Sequence, residues 1–134
     1  MTWRNVHLVI GAAGLLVFIL QGQYMGGTLG VPELPDVQRM LYRSAHIYLM
    51  LACAMNLGSG FFMPASGPEG ILQKLASVSM LAAPPVLLYS FFTEVSAGTI
   101  DRPLLSIALY LLFGAAVLLG IAGAWQRFRP GAPG

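Results

Sequence analysis

A chain of 134 residues has room for one domain of ordinary size. Of these residues 57% are apolar and 9% are charged, against about 25% charged in an average soluble domain, and the mean hydropathy is +0.74; so few charges cannot solvate a globule, which excludes a water-soluble monomer and a disordered chain. A net charge of +2 is too small to hold a phosphate backbone, which excludes nucleic acid as a partner, and a single cysteine excludes both an internal disulfide framework and a Cys-based zinc site.

A bilayer core about 30 Å thick is crossed by roughly 20 mostly apolar residues at 1.5 Å each, and four stretches meet that length. The first is 6–25. It follows Arg4, but no Ala-x-Ala site comes after its apolar run, where Met25-Gly26-Gly27 is the nearest approach and the polar Gln21 and Gln23 come first, so it reads as a retained helix and not as a cleaved signal peptide. His7, Gly11, Gly14, Phe18 and Gln21 recur at steps of three and four and share one stripe. The run Gly26-Gly27-Thr28-Leu29-Gly30-Val31-Pro32, with Pro35 beyond it, breaks the helix.

The second span, 37–60, repeats the rhythm with Arg39, Arg43, His46, Met50 and Cys53, with Tyr42 beside them. Pro64 to Pro68 then supplies a turn. The third span, 71–94, contains Pro84-Pro85. Each proline lacks an N–H, which predicts a kink and leaves the Met80 and Leu81 carbonyls without helical partners. In lipid those carbonyls need donors, and a bond from His46, at a similar depth, is geometrically possible; the commoner alternative is a kink that simply accommodates the neighbouring helices. After Ser96 to Thr99 the fourth span, 103–126, carries Ala116, Gly120 and Ala124 at steps of four. Such a row lets a second helix approach closely, inside the bundle or across a homodimer seam; Gly11 and Gly14 offer the same on the first helix. Short connections make neighbours antiparallel, and the long apolar runs lack the alternation of strands. The reading is an all-α, up-down four-helix bundle forming a single transmembrane domain in contact with the lipid bilayer.

Four spans place both termini on one side. That side collects Arg4, Lys74, Arg127 and Arg129, and the other Arg39, Arg43 and Arg102. The excess points both termini to the cytoplasm of a bacterial-type inner membrane.

Chemistry concentrates at Arg39, Tyr42, Arg43 and His46. A charge at mid-membrane costs at least about 2.5 kcal/mol, so such groups are expected to face the bundle interior and to find partners. Three readings follow. Arg43 pairs with Glu94 or Asp101 as a structural ion pair; Arg43, His46, Tyr42, Gln21 and Arg39 form a bowl that binds a quinone or lipid; or His46 titrates in a proton or ion path. Haem held between two histidines is unfavourable, because His7 and His46 differ in depth by roughly 15 Å. Ligation by one histidine with Met50 or Met80 is the haem arrangement that remains. No phosphate loop, hydrolase elbow or zinc-protease motif is present, and the methionines lack the paired spacing of a copper site. Neither a metal nor a resident cofactor is expected. In its plan of four short spans the chain resembles small multidrug transporters, but their membrane-embedded Glu has no counterpart in the first helix, so the resemblance is one of size. The preferred functional expectation is a non-enzymatic accessory or assembly subunit, packing against a larger membrane complex or against itself.

Overall fold

The structure, a computed structural model, describes residues 2–63, 70–98 and 100–127. The turn at Pro64 to Pro68, Thr99 and Arg129 lie outside the described residues. Four long helices, α1 (Trp3–Gly27), α2 (Asp36–Phe62), α3 (Ile71–Ser90) and α4 (Pro103–Arg127), form an up-down bundle. Each is long and apolar enough to cross a membrane. The chain is an integral membrane protein whose outward apolar side chains, such as Leu16, Leu20, Phe62 and Tyr110, meet lipid.

The connections follow from their residues. Thr28 and Leu29 both donate to the Tyr24 carbonyl at 3.0 Å, closing α1. Gly30 then takes φ +59°, a left-handed conformation open to glycine at no steric cost. A 3-10 turn, Val31–Glu33, buries Val31 and carries the chain to Pro35, ahead of α2. Arg39 pairs with Asp36 and donates to the Pro32 carbonyl at 3.2 Å, tying this turn to the first turns of α2. At the same end of the bundle α3 runs on through a π-helical turn, Phe91–Val95, and turns at Gly98, whose φ is +68°.

Small residues set the helix spacing. A β-carbon on Gly11 would sit 2.8 Å from the backbone nitrogen of Leu57, and one on Gly60 2.9 Å from that of Leu8. The two contacts are reciprocal, each glycine of one helix receiving a leucine of the other. Gly14 is covered in the same way by the Cys53 sulfur. On α4 the inward face is Leu105, Ala108, Leu112 and Ala115, and on α3 it is Ala76, Met80, Ala83 and Leu87. Dispersion contacts made at this close approach hold helices together where lipid removes the hydrophobic drive. α3 is continuous through Pro84 and Pro85, with Pro84 buried and Pro85 exposed. α2 and α3 occupy the middle, α1 packs mainly on α2 and α4 mainly on α3, and among the described residues the two outer helices share no extended contact.

Candidate functional site

The buried polar side chains fall into two layers. The first lies where α1 begins, α2 ends and α3 begins. His7 and Asn56 are both fully buried and meet at 2.7 Å between Nδ1 and Oδ1. Asn56 Nδ2 donates to the Ala52 carbonyl at 2.9 Å and to the Met80 carbonyl at 3.1 Å. Those two bonds fix the amide orientation, so Oδ1 is the acceptor and His7 donates through Nδ1–H. The Met80 carbonyl is the one that Pro84 leaves without a helical donor. Its donor is Asn56; His46, a possible donor by depth, bonds to Gln21 instead. Ser59 donates to the Met80 sulfur at 3.0 Å, completing the layer.

The second layer lies toward the opposite end of the bundle. His46 Nδ1 donates to Gln21 Oε1 at 2.9 Å, and its ring stacks on Phe18 with centroids 4.0 Å apart. Tyr42 is buried with its ring edge-on to Phe91, centroids 5.5 Å apart. Glu94 accepts from the Ser90 hydroxyl at 2.6 Å and from the backbone N–H groups of Leu104 and Leu105 at 2.6 and 3.1 Å. It therefore caps the N-terminus of α4 from the end of α3, where the first amides have no helical acceptor and the dipole favours an anion. The cation attracting Glu94 is Arg102. Arg102 also donates to the Leu41 carbonyl at 3.2 Å and to the Ser44 hydroxyl at 3.1 Å, stitching the start of α4 to α2.

Of the residues singled out as a ligand bowl, Gln21 and His46 come together, Tyr42 packs on Phe91, and Arg39 is held by Asp36 and Pro32. Arg43 is exposed, outside both layers. Asp101, also exposed, precedes α4. Ala116 is half-buried, whereas Gly120 and Ala124 are exposed, off the inward face of α4. His7 and His46 belong to different layers: Asn56, the partner of His7, lies ten residues beyond His46 on α2, about 15 Å along the axis. That separation does not fit one iron between the two imidazoles. Met50 is exposed, and the Met80 sulfur is taken by Ser59. Among the described residues no three His, Cys, Asp or Glu side chains group as metal ligands.

Two contributors carry weak sequence signals. Asn56 stands out as a polar residue within an apolar run, opposite a span with a freed carbonyl. Arg102 looks like an interfacial charge, and nothing in the linear pattern pairs it with Ser44. No protein-family model, curated protein or solved structure matches this chain.

Proposed function

We propose that this protein is a small non-enzymatic membrane subunit that assembles through the outer face of α4, with a second copy of itself or with a helix of a larger complex. The observation that carries this reading is a contrast among the glycines. Gly11, Gly14 and Gly60 are each covered by a neighbouring helix, whereas a β-carbon on Gly114, Gly120 or Gly123 of α4 would meet nothing within 4 Å. Glycine costs a helix about 1 kcal/mol relative to alanine, a cost that close helix contact offsets at the first three positions. Gly120 and Ala124, one turn apart and both exposed, offer the same close approach to a helix from outside the chain. Further support comes from the polar side chains, which join helices to one another in both layers. Arg4, Lys74 and Arg127 balance Arg39, Arg43 and Arg102 on the opposite side, three against three, and Arg129 makes the count four to three. That margin of one favours cytoplasmic termini in a bacterial-type inner membrane.

The test is Gly120→Leu in the full chain. Because a β-carbon at position 120 would meet nothing within 4 Å among the described residues, the variant is expected to insert and fold while its detergent-extracted complex migrates as a smaller species. Unchanged migration would overturn the proposal. Purified wild-type protein that remains oligomeric identifies a second copy as the partner; loss of oligomers on purification identifies a larger complex.

A further inference from the structure

The lipid-facing side of α2 carries charge at its outer end. Asp36, Met40, Arg43, Ile47 and Met50 recur at steps of four and three and form one exposed stripe. Its arginine differs from the other two at this end of the bundle. Arg39 is held by Asp36 and the Pro32 carbonyl, and Arg102 by the Leu41 carbonyl and the Ser44 hydroxyl. Arg43 has no hydrogen bond or ion pair among the described residues. Glu94, at the same end, is engaged by Ser90 and the first amides of α4. Asp36 accepts from Arg39 through Oδ1, and its side chain is 88% exposed; its second oxygen, Oδ2, has no partner among the described residues. The stripe thus presents an unpaired guanidinium and, two turns further out, an open carboxylate oxygen.

We infer that this face of α2 holds a phospholipid with a primary-amine headgroup, its phosphate on Arg43 and its ammonium on Asp36. Depth supports the choice. α2 has 27 residues, about 40 Å of helix against a hydrocarbon core of about 30 Å. Centred on that core, the helix places Asp36 about 5 Å outside the boundary, among the headgroups, and the Arg43 backbone about 5 Å inside it. Helical side chains lean toward the N-terminus, which for α2 is this surface, so Arg43 snorkels and its guanidinium returns to the boundary. A cation facing lipid at that level calls for an anion, and the phosphates of the bilayer line it; arginine grips phosphate with two parallel N–H bonds. Order along the stripe matches the molecule. From water inward the helix presents a carboxylate, a guanidinium, and then Ile47 and Met50; the lipid presents an ammonium, a phosphate, and then acyl chains. A headgroup of net negative charge meets repulsion here, because Glu33 and Asp36 both stand exposed ahead of Arg43.

The test is native mass spectrometry of the full-length protein with equal amounts of dioleoyl phosphatidylethanolamine and dioleoyl phosphatidylglycerol, which share chains and phosphate and differ in the ammonium. Wild-type protein is expected to retain the ethanolamine lipid about five-fold over the glycerol lipid, the ratio that one net hydrogen bond gives. Arg43→Gln lowers retention of both lipids, and Asp36→Asn removes the preference. Arg39→Gln, at the arginine already held within the chain, keeps the preference, and Gly120→Leu leaves it unchanged, separating this site from the assembly face. Equal or greater retention of the glycerol lipid by the wild type overturns the inference, as does an Arg43→Gln protein that retains both lipids as the wild type does. If Asp36→Asn does not fold, the wild-type ratio and Arg43→Gln, a substitution at an exposed position, decide by themselves.

Discussion

Replacing Asn56 by leucine removes one amide that serves three helices. His7 loses the acceptor for its Nδ1–H, at 2.7 Å, and the Met80 carbonyl loses its donor, at 3.1 Å. The Ala52 carbonyl also loses the side-chain bond but keeps its helical partner, the backbone N–H of residue 56. Two groups are thus left unsatisfied in a layer where His7 and Asn56 are 0% exposed. Each such group costs about 1–3 kcal/mol in water-soluble proteins, while interhelical bonds in membranes average about 0.6 kcal/mol. The expected destabilisation is therefore about 2 kcal/mol. Reversible unfolding by dodecyl sulfate in mixed micelles measures it. The decisive comparison repeats Asn56→Leu in a Pro84→Ala background. Alanine restores a backbone N–H to the Met80 carbonyl, so the Asn56 substitution should then cost about 1 kcal/mol less. An equal cost in both backgrounds would refute the assignment of Asn56 as the donor that compensates Pro84.

Two further outcomes follow from the second polar layer. Glu94→Ala uncaps α4 at Leu104 and Leu105 and should cost about 1–2 kcal/mol, with Glu94→Gln losing less because one amide oxygen still accepts; the same unfolding titration reads both, and equal stability of Glu94→Ala and wild type would count against the cap. Arg102→Ala severs the links to Leu41 and Ser44 and should destabilise by about 1 kcal/mol, while Arg43→Ala, at an exposed position, should stay within about 0.5 kcal/mol of wild type. Reversal of that order would mean that Arg43 is the arginine joining the helices.

How far the site can be read from the chain differs from residue to residue. Pro84 marks Met80 as a carbonyl in need of a donor, because a missing N–H is a covalent fact. The identity of the donor is not covalent. His46 and Asn56 both lie on α2, and which one faces Met80 depends on how far α2 slides along α3. Arg43 and Arg102 present the same difficulty. Both sit near the same membrane surface, but the rotation of α2 turns Leu41, Tyr42 and Ala45 inward and leaves Arg43 outside, while Arg102, at the entry to α4, reaches Ser44. Gln21 is legible as a polar residue on the stripe shared with Gly11 and Gly14; that its oxygen accepts from His46, and that its nitrogen has no partner among the described residues, emerges only once His46 is in place.

The primary sequence by itself determined that four helices cross a bilayer and pack up and down. Helix length and lipid solubility follow from runs of apolar residues, and the turns from glycine and proline, all of which are local properties. Tertiary structure alone decided which face of each helix turns inward. In lipid the outer and inner surfaces are equally apolar, so composition gives no side a preference and the choice falls to fit between neighbours. On α4 that fit selects Leu105, Ala108, Leu112 and Ala115 and leaves Gly120 and Ala124 facing outward.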